Sequence, residues 1–440
     1  MVPKEYYGRL FTEDQLPTDY YSEALTLKSM VKNDNQLRCK RCFSPIEEEW
    51  QLPNGKHYCR ACIVFGRNQE GKQLYYFASK EADINFPVLK WSGKLTSYQA
   101  EVSEKLLKTY QQQKNSLVHA VTGAGKTEMI YKIVAYVLET KGRVAIASPR
   151  VDVCRELHIR LQRDFTCSIS LLHAESEPYD GSPLVIATTH QLLKFYQSFD
   201  LIIVDEVDAF PFVGNPMLNH AVKQAKKKTG QLIYLTATST VSLEEQVRVG
   251  VLEKHHLARR FHGNPLVIPQ FFWQGKLQQS LSKQKLPRPL LRQLKKQRKS
   301  KFPLLIFFPN IAMGERFTKI LQNYFPEEKI AFVSSKSEER SEMVKKFRKQ
   351  DLTILVTTTI LERGVTFPKV DVFVCMANHH LFTSSSLIQI GGRVGRSPER
   401  PTGELYFFHE GLSKSILQCR QEIKAMNRKG GFDDEMFNVQ

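Results

Sequence analysis

The sequence predicts an α/β protein of two parallel-sheet domains behind a small cysteine-bearing module. Three observations predict it. From about Leu95, short apolar runs alternate with helical patterns, which is how parallel strands joined by crossover helices read in a sequence. A lysine- and arginine-rich stretch interrupts that alternation once, after which it resumes. Ahead of both parts lies a polar, turn-rich segment holding four paired cysteines. The length of 440 residues agrees, at one domain per ~150 residues.

The N-terminal module is expected over residues 1–85. Cys39, Cys42, Cys59 and Cys62 form CxxC–x16–CxxC. Each CxxC closes a tight knuckle presenting two thiolates to one side of a metal, and two knuckles complete a closed tetrahedral shell of the structural zinc type. Lys40, Arg41 and Arg60 surround the pattern and favour thiolates. The competing reading is a set of free thiols or a redox pair. His57 lies near the second knuckle and is expected beside the metal rather than on it. So short a module buries little core, and the metal is expected to supply much of its folding energy.

The first α/β domain is expected over residues 90–270, with strands at 116–121, 143–148, 184–188, 201–204 and 232–235, and helices at 126–139 and 152–164. Ala120-Val-Thr-Gly-Ala-Gly-Lys-Thr127 follows a strand and opens a helix, the context a phosphate-binding loop requires. Ala120 stands where the simplest pattern has its first glycine. Backbone N–H groups of Thr122, Gly123, Ala124 and Gly125 are expected to wrap the phosphates of ATP. Lys126 reaches the β- and γ-phosphates, and Thr127 binds Mg²⁺. Further on, Leu201-Ile-Ile-Val-Asp-Glu-Val-Asp208 ends a buried strand in adjacent acids. Asp205 is expected to hold Mg²⁺ and Glu206 to orient the attacking water. Phe210 and Phe212 follow, either to stack on bases or to pack between domains.

Residues 271–301 are expected to be a basic linker. Residues 276–301 hold ten Lys or Arg and no Asp or Glu, although Leu281, Leu286, Leu290, Leu291 and Leu294 suggest that part of the stretch is an amphipathic helix. A second α/β domain is expected over 302–440, with strands at 304–308, 330–333, 353–357, 370–375 and 405–408, and helices at 313–323 and 337–350. Gln389-Ile-Gly-Gly-Arg-Val-Gly-Arg396 places Arg393 and Arg396 three residues apart, which makes them candidate arginine fingers for the γ-phosphate. The tail over 427–440 is expected to be flexible.

Composition narrows the partner. With 63 Lys and Arg against 45 Asp and Glu the net charge is +18, which favours a polyanion. Ten of those charges fall in residues 276–301. No apolar run reaches the ~18 residues that span a bilayer, and charged residues break up the N-terminus. A cytoplasmic location is therefore expected. Cys154, Cys167, Cys375 and Cys419 are scattered, which argues against a secreted disulfide framework.

These segments, in this order, resemble the two-RecA-domain helicases of superfamily 2 over roughly residues 90–410. Ala120–Thr127 is similar to motif I, Asp205–Asp208 to motif II, Thr236-Ala-Thr238 to motif III and Gln389–Arg396 to motif VI. Leu95-Thr-Ser-Tyr-Gln99 resembles a Q motif, which assigns Gln99 to the adenine edge. Ser148-Pro-Arg150 and Thr188-Thr-His-Gln191 resemble motifs Ia and Ib. Ile306–Asn310 resembles motif IV, and Thr357–Val365 resembles motif V. The resemblance implies DNA contacts at Ser148, Arg150, Thr188, His190, Arg363 and Thr366, and ATP bound between two RecA-like domains. Motif II reads Asp-Glu-Val-Asp, outside the DEAD and DEAH subgroups.

A four-cysteine finger ahead of such a motor resembles the ComFA family of late-competence ATPases, across essentially the whole chain. That resemblance implies an ssDNA-dependent ATPase and translocase that drives import of transforming DNA. It implies ATP, Mg²⁺ and Zn²⁺ as cofactors. Its partners would be single-stranded DNA, the small competence protein ComFC, the strand-handling protein DprA and the membrane channel ComEC, with a homo-oligomer left open. Attachment at the inner face of the cell membrane would run through those partners. The alternatives are a general superfamily-2 helicase of replication restart or repair, similar to PriA, and a zinc-bearing adaptor with a switching ATPase.

Overall fold

The computed structural model describes residues 1–432. The chain divides into two compact units. The first comprises Met1–His119 with Lys126–His256, and the second Ala120–Gly125 with the chain from Leu257 onward.

The first unit is built on a seven-stranded sheet in the order Leu252–Leu257, Asn115–Ala120, Lys226–Thr236, Phe199–Asp205, Val144–Ser148, Leu184–Thr188, Ile169–Leu172. Pairings from Asn115–Ala120 through Ile169–Leu172 are all parallel. Leu201, Ile202, Ile203 and Val204 are fully buried, as a central parallel strand covered on both faces requires. Helix Ser97–Gln111 starts at a capping box in which Thr96 and Gln99 bond reciprocally. The helical stretch after the phosphate loop is divided into Lys126–Met129 and Tyr131–Glu139.

Residues ahead of this sheet pack onto it within the same unit. A three-stranded antiparallel sheet orders Leu10–Thr12, Gln73–Tyr76 and Leu25–Lys28, and a hairpin joins Met30–Asn33 to Gln36–Cys39. Tyr196 N–H donates to the Gly8 carbonyl at 2.9 Å, and Ser79 Oγ donates to the Ser198 carbonyl at 3.0 Å. Gly8 sits at φ +75°, and a Cβ there would meet Ser198 Oγ at 2.2 Å, so only glycine fits this close approach.

The second unit has a six-stranded parallel sheet in the order Gln270–Trp273, Leu405–His409, Asp371–Val374, Leu304–Phe307, Ile354–Thr357, Ile330–Val333. The expected linker over 271–301 is instead an integral part of this unit. Gln270–Trp273 is its edge strand, and Leu277–Ser282 and Arg288–Arg298 are helices. Leu277, Leu281, Leu286, Leu290 and Leu294 enter the core with Phe308, Phe317 and Tyr406. Arg288, Arg292, Lys295, Lys296 and Lys299 are exposed on the opposite side, whereas Arg298 is largely buried and pairs with Glu328 at 2.9 Å; the density of basic residues is why composition alone read as a linker.

The tail differs as well. Asn427–Lys429 ends helix Lys414–Lys429, and buried Asn427 exchanges hydrogen bonds with both backbone groups of Leu266. The backbone N–H groups of Gly430, Gly431 and Phe432 donate to the carbonyls of Met426, Arg428 and Asn427, and residues 433–440 of the expected flexible tail lie outside the described residues.

Candidate functional site

In the first unit, the strand Phe199–Asp205 delivers Asp205 and Glu206 at its carboxyl end. Lys126 Nζ lies 3.2 Å from Asp205 Oδ1, with both side chains mostly buried. The Glu206 N–H donates to the same Asp205 oxygen at 2.9 Å. Glu206 adopts φ +56°, a left-handed backbone that costs a non-glycine residue about 1–3 kcal/mol. Asp208 accepts from Thr236 Oγ1 at 2.8 Å and from Thr238 Oγ1 at 2.6 Å. The third acid of this segment is thus tied to the end of the neighbouring strand.

Gln99 is buried, and its Oε1 accepts from the Thr96 N–H at 2.9 Å. Among the residues assigned to DNA, Arg150 and His190 are half-buried, and Arg150 Nε is 3.8 Å from Glu206 Oε2. Burial holds His190 below the usual histidine range. Ser148 and Thr188 are buried at strand ends, and the Ser148 hydroxyl accepts from the Arg150 N–H at 3.4 Å. Phe212 is buried among the core residues of this unit, whereas Phe210 is 83% exposed. The two aromatic residues therefore differ in kind, a split that their spacing does not reveal.

In the second unit, the loop residues Gly123 and Gly125 adopt φ +80° and +73°. The Gly123 carbonyl accepts from Phe261 N–H, and Val121 N–H donates to the Leu257 carbonyl. A Cβ at Gly392 would meet Thr122 Oγ1 at 1.9 Å, which accounts for a glycine there. Arg396 is half-buried; its Nε donates to the Gly392 carbonyl at 2.9 Å and its Nη1 to Thr366 Oγ1 at 3.4 Å. Arg393 is buried, donates to the Val365 carbonyl and lies over the Phe367 ring. Arg363 is buried too, with Nη2 donating to Ser385 Oγ at 3.0 Å, while Thr366 is exposed. Arg260 was not anticipated. It is buried, donates to the carbonyls of Val394 and Gly395 at 2.7 and 2.6 Å, and desolvation lowers its pKa to about 9. No motif in the sequence marks it.

The four cysteines meet in the first unit. All are fully buried, with ligand atoms within 4.8 Å of one another, and they are the one such cluster of potential metal ligands among the described residues. The hydrogen bond with Cys42, then those with Cys59 and Cys62, draw the Cys39 thiol well below its ordinary range. Cys62 is pushed up, foremost by its hydrogen bond with Cys39. Thiols this crowded ionise together only around a cation. Arg41 is 1% exposed, and its Nε and Nη2 each lie 3.2 Å from Cys62 Sγ. It also holds the carbonyls of Cys62, Phe65 and Gly66. Asn68 Nδ2 donates to Cys39 Sγ at 3.0 Å. A buried guanidinium offsets part of the charge of a four-thiolate shell, so the donor set fits a divalent metal. His57 faces Glu70 at 3.1 Å.

This cluster is seated on helix Pro216–Ala225. Gln224 Nε2 donates to the Arg41 carbonyl at 3.2 Å, and His220 stacks on Phe43 at 5.1 Å.

Residues 92–241 match the family model for the type III restriction enzyme, res subunit, and residues 285–398 match the helicase conserved C-terminal domain. The competence protein ComFA of Streptococcus pneumoniae is 57% identical across 98% of this chain and 99% of its own. The chain belongs to the ComFA family. A second ComFA, from Bacillus subtilis, is 36% identical across 95% of this chain and 91% of its own. Among solved structures, Mycobacterium smegmatis helicase Lhr bound to ssDNA and AMP-PNP superposes with a TM-score of 0.55 at 16% identity, covering 78% of this chain and 51% of Lhr. Saccharomyces cerevisiae Dbp5 bound to RNA and ADP BeF3 gives 0.52 at 15% identity, covering 77% and 93%. These two similarities establish the fold: two RecA-like domains. This ComFA-family chain is a competence-associated, helicase-like ATP hydrolase that depends on DNA. Among the described residues no helix is long and apolar enough to cross a membrane.

Proposed function

We propose that the chain is a single-stranded-DNA-dependent ATPase and translocase that drives import of transforming DNA into the cytoplasm during natural competence. The observation that carries this reading is the 57% identity to a competence protein across 98% of this chain. In this reading, residues 122–127 hold the phosphates of ATP and Gln99 reads its adenine. Thr127 and Asp205 hold Mg²⁺, and Glu206 orients the attacking water. Arg393 and Arg396 stabilise charge on the γ-phosphate. The 3.2 Å Lys126–Asp205 pair supports these roles, since it sets a phosphate-binding cation beside a metal-binding carboxylate.

Strand contacts run through phosphates and are largely independent of sequence. The exposed Thr366 and the half-buried Arg150 and His190 are better placed for them than the buried Ser148, Thr188 and Arg363. Zinc fills the four-cysteine shell. ComFC, DprA and ComEC are the partners, and they hold the protein at the inner face of the cell membrane.

Two measurements test this reading. Lys126→Ala abolishes DNA-stimulated ATP hydrolysis while sparing DNA binding; unaltered hydrolysis would refute the assignment of Lys126. Deleting the gene abolishes transformation. Normal transformation in the deletion strain, with loss of growth or repair, would point instead to a general helicase.

A further inference from the structure

The second unit carries a groove of about 780 Å³ between helix Arg288–Arg298 and the edge of its sheet. Arg288, Arg292, Lys295, Lys296 and Lys299 line it together with Phe272. The five cations follow helical spacing, so they share one face over about 16 Å of axis. All five are exposed. Lys296 reaches Glu404 at 3.5 Å and the Tyr406 hydroxyl at 3.2 Å. Among the described residues, Arg288, Arg292, Lys295 and Lys299 have no carboxylate within ion-pair distance, and no acid occurs anywhere in residues 276–301. Like charges on one helix face repel each other, and a polyanion relieves that cost. A nucleic-acid strand rising ~3.4 Å per nucleotide presents about five phosphates over this length.

The half-buried Phe272, backed by Tyr406 and Phe408 at 4.9 and 5.5 Å, adds a ring on which a base can stack. Gln270 opens its strand and Tyr406 is second in its own, and both line the groove; Lys299 precedes the strand Leu304–Phe307. This end of the groove therefore lies at the amino ends of the strands. The segment carrying Arg363 and Thr366 follows the carboxyl end of Ile354–Thr357.

We propose that this groove is a second binding track for single-stranded DNA, gripping its phosphates apart from the segments at the carboxyl ends of the sheet. It rests on the DNA-dependent reading above for the identity of the strand. The test uses the full chain, a fluorescein-labelled thirty-nucleotide oligo-dT and anisotropy titrations across a salt series. The triple variant Arg292→Gln, Lys295→Gln, Lys299→Gln removes three exposed charges. Its log-affinity against log-salt slope becomes shallower by about two, at ~0.7 per phosphate contact on a single strand. Affinity at low salt falls at least tenfold, while the melting temperature stays that of the parent. Lys299→Gln alone gives about a third of the slope change.

A triple variant with the parent's affinity and slope overturns the proposal and leaves the DNA-dependent reading standing. A parent chain that binds no oligo-dT sinks both. Labelled polyglutamate that binds the parent and is lost in the triple variant, with oligo-dT binding unchanged, overturns it in favour of an acidic protein partner.

Discussion

At the scale of single residues, Phe210 and Phe212 stand two positions apart after the acids of the strand Phe199–Asp205, yet they meet opposite environments. Phe212 is 4% exposed and packs near Tyr234, with ring centroids 6.5 Å apart. Phe212→Ala should lower unfolding free energy by about 3–5 kcal/mol, read from denaturant curves. Phe210→Ala should leave stability within about 0.5 kcal/mol, because the ring is in solvent. If Phe210 stacks on bases, the same variant weakens the coupling of hydrolysis to DNA; full coupling in Phe210→Ala would exclude that role. The meeting of Lys126 with Asp205 at 3.2 Å was legible in the sequence, because each stands at or beyond the end of a buried strand that the apolar runs mark. Arg260 was not, because its partners are main-chain carbonyls, which any sequence supplies. The burial of Arg363 and Arg393 was equally hidden, since an arginine reads as exposed until its carbonyl and hydroxyl partners are known.

At the scale of elements, helix Arg288–Arg298 shows why charge density misleads. Its sequence carries basic residues on one face and Leu290 and Leu294, both fully buried, on the other. Buried Gln297 ties the end of the helix to Asp371 at 2.8 Å, at the start of a neighbouring strand. A linker would tolerate truncation at Leu290, whereas a core helix does not. Leu290→Ala should cost about 2–5 kcal/mol in equilibrium unfolding, and a change under about 0.5 kcal/mol would restore the linker reading. The central strands of both sheets were legible as continuous apolar runs, because a strand buried on both faces has no alternation to lose. The strands Ile169–Leu172, Leu252–Leu257 and Gln270–Trp273 were missed. They lie at or near sheet edges, where solvent on one side dilutes the apolar signal.

At the scale of the whole molecule, the cysteine module is not a detachable finger. Cys39, Cys42, Cys59 and Cys62 share one continuous buried cluster with Leu218, Ala221 and Val222 of helix Pro216–Ala225 and with Leu192 and Phe195. The four cysteines and the helix therefore stabilise each other. Removing a bound metal lets the four buried thiolates take up protons, which leaves the buried cation of Arg41 without an anionic partner, a situation that costs several kcal/mol unless the surroundings rearrange. The rearrangement cannot stop at residue 70, because the same buried cluster continues into Ile202 and Val204 of the strand that carries Asp205. Chelation of the metal-loaded protein should therefore raise amide hydrogen exchange in residues 30–70, in Pro216–Ala225 and at the Thr189–Lys194 turn. Exchange in Leu304–Phe307 and Asp371–Val374 of the second unit should stay unchanged. ATP hydrolysis should fall with the same chelator dependence as exchange in Pro216–Ala225, and zinc should restore both. Exchange that rises only within residues 30–70, with hydrolysis intact, would make the cluster a local clasp instead of a support for the catalytic sheet.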